Sequence, residues 1–312
     1  MVKEPRNRHL LAADLDMLLT AAVREADDLP EADVERVTDR LRALVRPAWL
    51  LVPHDGPVRT GGSRIGGRPD LPHGWDWPTG GRDGAGPAAL AFLAQIDLAD
   101  VPCAADAGWL PPHGRLWFFR NESGVIETEP DHVVMHADVP AGGLRPAAPP
   151  AGLDHLIDEG GCGPEPDRPQ PVVLRRTLFL DDDYKYGWHS RGIEAVAAEL
   201  DEHVEDGAWE FFAQVQRNLV RAALNEGEQW GGMLIGRPNP CPPPGGACPC
   251  GRSAPAHTPG YDNEDGPCSP ASDSLLVLYE GWGDGPLVFT ADATAPAAVH
   301  GRSSPGTEAW VY

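Results

Sequence analysis

Two groups of residues in this sequence have the types and spacing that chemistry needs. In the first, Arg64, Arg68 and Asp70 flank the glycine pair Gly66-Gly67. Two guanidiniums beside a carboxylate can receive a substrate carboxylate through paired N–H donors, or they can pair with the aspartate and go no further. Gln95 and Asp97 follow on a segment that reads as a strand, where side chains two apart share a face. Both are costly to bury without partners, so they either bind a polar ligand in a cleft or hold loop backbone groups. Arg64, Arg68, Asp70, Gln95 and Asp97 are therefore the candidate ligand-binding set.

The second group is Cys241, Cys248, Cys250, His257 and Cys268, five soft donors within 28 residues of a Pro- and Gly-rich segment. Thiolates and an imidazole could fold such a segment around zinc. The gaps between successive cysteines hold six, one and seventeen residues, unlike the usual short paired spacing, so plain reduced thiols and a redox or copper role stay open beside a structural zinc. Other chemistry-bearing patterns are missing. There is no Gly-x-Ser-x-Gly elbow, no Gly-Lys-Ser/Thr phosphate loop and no His-Glu-x-x-His. Gly281-x-Gly283-x-Gly285 reads as a tight turn between strands, and Tyr184-Lys185-Tyr186-Gly187-Trp188-His189 as a packed aromatic lid or a binding patch.

Composition narrows the partners. Lys and Arg total 25 against 47 Asp and Glu, a net charge of −22, and Lys3 and Lys185 are the only lysines. Such a surface repels phosphate backbones, which argues against nucleic acid, and attracts a basic protein or a cation. No apolar run approaches the roughly 18 residues of a membrane span, and residues 1–9 are charged with no apolar leader core, so a cytoplasmic protein is expected. Six cysteines in 312 residues agree with a reducing compartment.

The elements that must position these residues are short, because 36 Gly and 34 Pro punctuate the chain. Leu11, Leu15, Leu18, Leu19, Ala22 and Val23 lay a stripe along a first helix; Val34, Val37, Leu41 and Leu44 continue it on a second, begun at Pro30 and stopped at Pro47. Strands are expected over 48–52, 90–97, 115–120, 132–136 and 172–180, and again over 229–236, 274–280, 286–290 and 308–312. Between them lie a loop over 140–171 and two central helices. Ser190 would cap one carrying Ile193, Val196, Leu200 and Val204; Trp209, Phe212, Val215 and Leu219 stripe the other.

The two strand-rich stretches look related. Ile65-Gly66-Gly67-Arg68-Pro69 has a counterpart in Leu234-Ile235-Gly236-Arg237-Pro238. Leu90 to Gln95 answers to Leu275 to Glu280, and Gly114 to Phe119 answers to Gly285 to Thr290. An internal duplication follows, with a cleft between the two β-units as the default binding site. The organisation read from this is a helical segment over 1–47, a first β-unit over 48–150, a loop and central helices over 151–227, and a second β-unit over 228–312. The second β-unit carries an insertion over 238–270.

At the same residues the chain resembles the YwqG-like bacterial proteins, a family of unknown function. The resemblance is carried by Gly66-Gly67-Arg68-Pro69-Asp70-Leu71-Pro72, Trp77-Pro78, Phe92-Leu93-Ala94-Gln95-Ile96-Asp97-Leu98 and Gly114-Arg115-Leu116-Trp117-Phe118-Phe119. It continues more loosely to 312, where Trp282-Gly283-Asp284-Gly285 fits closely while Gly236-Arg237-Pro238 and Tyr279-Glu280-Gly281 depart from the pattern. It implies a mainly β fold, brings no established activity, and admits an immunity-like role against a basic protein. The expected fold is therefore α+β, mainly β, with two related β-units, two N-terminal helices and two central helices. The expected function is a non-catalytic cytoplasmic binding module for a basic protein or a small polar molecule, with no nucleic-acid or membrane partner. The alternative is a hydrolase or small-molecule transferase using Asp70 or Asp97 in the cleft.

Overall fold

The structure is a computed structural model that describes residues 12–27, 29–42, 44–80, 88–104, 110–120, 132–151, 153, 169–180, 196–198, 200, 207–235, 273–278, 287–291 and 309–310. The chain is α+β and mostly strand. It divides into two compact units, each discontinuous in sequence: Met1–Trp49 with Arg176–Glu226 and Arg237–Pro270, and Leu50–Arg175 with Gly227–Gly236 and Ala271–Tyr312.

The first unit is helical. Among the described residues its α-helices include α1 (Ala12–Arg24), α2 (Glu31–Arg42) and α3 (Ala208–Ala223), and residues 196–198 and 200, in the helix expected after Ser190, are helical as well. The stripes expected from three- and four-residue spacing are mostly the faces that become buried: Leu15, Leu19, Ala22 and Val23 on α1, Val34, Val37 and Leu41 on α2, and Phe212, Val215 and Leu219 on α3, where Trp209 of the expected stripe is half-buried and Phe211, outside it, is buried. Leu178, Leu180, Val196, Ala197 and Leu200 complete that core. Three buried polar side chains satisfy backbone groups within it. Asn218 donates to the Ala22 carbonyl at 3.1 Å, Thr177 donates to that of Leu219 at 3.0 Å, and Gln216 accepts from the Leu180 N–H at 2.6 Å. The Pro30 carbonyl receives the N–H groups of Asp33 and Val34, so Pro30 stands just ahead of the helix it was expected to begin. Pro47 does not stop α2. The helix closes through bonds from the Leu44 and Val45 N–H groups to the Leu41 carbonyl, and Pro47 lies inside the next strand.

The strands are β1 (Arg46–Pro53), β2 (Arg64–Ile65), β3 (Asp70–Pro72), β4 (Thr79–Gly80), β5 (Ala88–Ala89), β6 (Ala91–Asp97), β7 (Arg115–Arg120), β8 (His132–Ala137), β9 (Leu144–Pro146), β10 (Gln170–Phe179), β11 (Gly232–Ile235), β12 (Asp273–Leu278), β13 (Leu287–Ala291) and β14 (Ala309–Trp310). Each of the longer strands expected from sequence has its counterpart. The very short β2, β3, β4, β5 and β9 lie outside the expected strands, because two or three residues carry no period. β9 falls within the span expected to be loop. Ten strands form one sheet in the order β14-β13-β12-β11-β1-β10-β2-β6-β7-β8. β3 pairs with β9, and β4 with β5, in separate ladders.

The sheet has a four-stranded antiparallel run on each side of the central β1 and β10: β2-β6-β7-β8 on one side and β11-β12-β13-β14 on the other. Ile65 pairs with Ala94 in the first run, and Leu234 with Leu276 in the second. The first run has a register shift between Phe92 and Ala94, opposite Phe119 and Phe118. The second has one between Ser274 and Leu276, opposite Thr290 and Phe289. One extra residue, Leu93 or Leu275, thus sits at the same ladder position in each run. In the first run the Leu93 carbonyl is not wasted, since it accepts the Gly66 N–H at 2.8 Å.

Both faces of β6 and β7 are buried, which is why neither strand shows a polar side in its sequence. One face packs Phe92, Trp117 and Phe119 with Leu71, Leu90, Val133, Met135 and Leu144. Tilted and edge-on ring contacts join Trp75 to Trp117 at 5.8 Å, Trp77 to Phe119 at 5.6 Å and Phe92 to Phe119 at 5.4 Å.

Candidate functional site: a buried polar network beside an open cleft

The chain between β1 and β3 has little regular structure, so its backbone groups need partners from elsewhere. Gln95 supplies several. With no solvent exposure, its Oε1 accepts the Asp70 N–H at 2.9 Å and the Trp117 indole N–H at 2.8 Å, while its Nε2 donates to the Gly62 carbonyl at 3.0 Å. Trp117 also reaches the Asp70 carbonyl at 3.0 Å. The strand pairing makes this possible, because Arg64, Gln95 and Trp117 are cross-strand neighbours on β2, β6 and β7.

Asp70 and Arg64 form a buried ion pair, Oδ2 to Nη1 at 2.8 Å, with side-chain exposures of 5% and 3%. The same Asp70 oxygen accepts the Gly61 N–H at 2.6 Å, and the second Arg64 Nη donates to the Arg68 carbonyl. The Arg64 Nε is buried and has no hydrogen-bond partner among the described residues. Desolvating this pair is costly, and the added backbone bonds are what offset it.

Asp97 stands one strand position beyond the buried stretch. Its Oδ1 accepts the Ala99 N–H at 3.1 Å, capping the 3-10 turn Leu98–Asp100, and its Oδ2 accepts from Arg115 at 3.0 Å. Arg115 then donates to the Gly61 carbonyl at 2.7 Å and the Val139 carbonyl at 2.6 Å. Ser63 closes the network, donating to Asp100 at 2.9 Å and accepting the Asp97 N–H at 2.9 Å. The glycines fit for the same reason. A Cβ on Gly67, whose φ is +72°, would lie 2.5 Å from the Pro169 ring, and one on Gly61 would lie 2.5 Å from the Arg115 Nε. The close approach that these glycines permit is by the protein's own chain.

Four of the five candidate ligand residues, Arg64, Asp70, Gln95 and Asp97, thus join one network that fastens residues 61–70 to β6 and β7. Arg68 contributes its carbonyl to that network and leaves its side chain exposed at a cleft of about 440 Å³. Arg59, Arg64 and Asp70 also line the cleft, with Val58, Pro146 and Pro169 as its apolar walls. Its walls come from residues 58–70, 146 and 169, and no described residue of 228–312 is among them. Sequence reasoning missed Arg115, Ser63, Asp100 and the Trp117 indole as partners. Arg115 opens a strand three residues after a pair of prolines, and nothing local marks it as a bridge to residue 61.

The metal candidates Cys241, Cys248, Cys250, His257 and Cys268 lie outside the described residues, as does the aromatic segment 184–189. Among the described residues there is no group of three or more His, Cys, Asp or Glu able to hold a metal ion, and no helix long and apolar enough to cross a membrane.

Fold and site together define an α+β protein whose sheet carries a buried, densely hydrogen-bonded polar network next to an open, arginine-lined cleft. Residues 63–140 match the family model of a domain of unknown function, DUF1963. That stretch holds Gln95, Asp97, Arg115 and Trp117, and so most of the network. No curated protein matches the chain.

Proposed function

We propose that this protein is a non-catalytic binding module that takes a small polar molecule in the cleft lined by Arg59, Arg68 and Pro169. The observation behind this reading is how the nearby carboxylates are used. Both oxygens of Asp97 are engaged, one by Arg115 and one by the Ala99 N–H, and the Asp70 Oδ2 is held by Arg64 and the Gly61 N–H together. A general acid or base needs an oxygen free to meet substrate, which Asp97 does not have. The net charge of −22 favours a basic protein over nucleic acid as a macromolecular partner, which is where an immunity-like role in the cytoplasm would fit. Ligand-observed NMR of the purified chain with a pool of cellular small molecules tests the cleft. Saturation transfer to a pool member, with its signal intensity constant over hours, supports a binder. Product resonances that grow with protein concentration would replace it with the hydrolase or transferase.

Membership of the YwqG-like family over residues 60–312 belongs to the same proposal, as does the duplication. Its support is the matching ladder position of Leu93 and Leu275. The equivalence of Gly114 to Phe119 with Gly285 to Thr290 agrees with the two ladders, whereas that of Leu90 with Leu275 moves by three residues to Leu93. Cross-strand NMR contacts should run from Leu276 to Phe289 and from Ser274 to Thr290, skipping Leu275. An unbroken one-to-one ladder there would remove the duplicated bulge and the main argument for duplication.

A further inference from the structure

We infer that the cleft recognises an uncharged carboxamide or lactam edge on a small apolar body, its carbonyl taken by the Arg64 Nε–H and its N–H by the Asp70 Oδ1. The inference rests on the binding-module reading and names the ligand class for the same cleft.

Charge is the first argument. Three guanidiniums and one carboxylate line the cleft, and each of the four already has a partner. Arg64 and Asp70 neutralise each other at 2.8 Å, Arg59 meets Asp100 at 3.3 Å, and Arg68 has an interaction of its own. A charged ligand would have to compete with one of these contacts, and the net charge of −22 penalises an anion further. An uncharged ligand meets neither cost.

The second argument is what the wall leaves unused. The hydrogen bonds that reach the Asp70 carboxylate from Arg64 and from the Gly61 N–H both fall on Oδ2, so among the described residues Oδ1 carries none. Across the pair, the Arg64 Nε is buried and has no hydrogen-bond partner among the described residues. Both side chains line the cleft, with exposures of 3% for Arg64 and 5% for Asp70. A buried donor or acceptor left unpaired is costly, so a ligand that meets both gains more here than on open surface. Because the two groups belong to one ion pair, donor and acceptor share one wall, and the ligand must answer with an acceptor and a donor on one edge. A primary carboxamide or a lactam does so. The trans amide of a peptide backbone points its C=O and N–H to opposite sides. A carboxylate lacks the donor, and an ammonium lacks the acceptor.

The third argument gives the body. Val58 is 45% exposed and stands with Pro146 and Pro169 around the cleft as its apolar surface. A volume of about 440 Å³ lies within the ordinary range of small-molecule sites, roughly 300–1,000 Å³.

A free small amide and the side-chain carboxamide of a peptide share this chemistry, and the test separates them. Hexanamide, N,N-dimethylhexanamide, hexanoate, hexylamine and capped tripeptides centred on glutamine or alanine are titrated into the full chain, followed by calorimetry and NMR. Hexanamide should bind, shifting amides of residues 58–70 and the Arg64 side-chain Nε–H resonance. N,N-dimethylhexanamide, which has no N–H for Asp70, should bind about tenfold or more weakly, as should hexanoate and hexylamine. Arg64→Lys keeps a cation for Asp70 but removes Nε, and should weaken hexanamide about tenfold or more; if that variant does not fold, the Nε–H resonance of the parent chain decides the same point. Tighter binding by the glutamine peptide than by hexanamide would assign the carboxamide to a chain, and weaker binding to a free small amide. An alanine peptide that binds as well as the glutamine peptide, dimethylation without effect, or an Nε–H resonance that hexanamide leaves unmoved overturns the inference. If hexanoate, hexylamine or only a non-amide member of the cellular pool shifts residues 58–70, the binding module stands and the carboxamide fails. If no probe and no member of the pool shifts those residues, both fail.

Discussion

Asp70→Ala is expected to lower stability by about 3–5 kcal/mol, the usual cost of leaving one member of a buried ion pair alone. Arg64 would keep its charge with its side chain 3% exposed, and the Gly61 N–H would lose its acceptor. At about 2–4 °C per kcal/mol for a chain segment of this size, the melting temperature should fall by roughly 6–20 °C. The second half of the expectation is what identifies the cause. Arg64→Met combined with Asp70→Leu removes both charges at similar volume, so it should recover most of the loss, short of the bonds to Gly61 and the Arg68 carbonyl. A double-mutant cycle read by thermal and urea unfolding checks this. Equal losses in the single and double variants would mean that packing or backbone geometry, not the buried charge, governs the position.

Gln95→Leu should cost about 2–4 kcal/mol although it keeps nearly the same shape. The leucine leaves the Asp70 N–H and the Gly62 carbonyl buried without partners, each worth roughly 1–3 kcal/mol, whereas the Trp117 indole retains the Asp70 carbonyl. The melt should shift by several degrees or more, and the near-ultraviolet signal of the buried Trp117 should change with it. A melt within about 2 °C of the parent would show that residues 61–70 do not depend on this side chain. Gln95 would then return to consideration as a ligand contact rather than a fastening.

The two expectations concern residues that the sequence singles out without saying what they do. A buried amide and a buried carboxylate are costly wherever they occur, so their types and the strand around them mark Gln95, Asp97 and Asp70 as positions with an assigned partner. Whether the partner is a ligand or the chain itself depends on which backbone comes within about 3 Å. Gly61, Gly62 and Val139 come that close only because β2 pairs with β6, β6 with β7, and β9 with β3.

What the sequence by itself determined is the set of local consequences. Stripes at three- and four-residue spacing set α1, α2 and α3. Runs of β-branched and aromatic residues between Gly and Pro set the longer strands, and the mainly β character followed from both. These depend on side chains within a few positions of each other, which is the range over which sequence alone carries the physics. Pro47 shows the limit: proline is tolerated near the start of a strand as readily as after a helix, and only the Leu41 bonds decide which. The tertiary structure decided the rest. It placed the two meanders on either side of β1 and β10, shifted the apparent β6 and β12 match by three residues, and put Pro169 against Gly67. It also separated the polar residues, turning Gln95 and Asp97 inward to the backbone and leaving Arg59 and Arg68 exposed at the cleft. Residues many positions apart meet there by strand pairing, and no local spacing encodes the meeting.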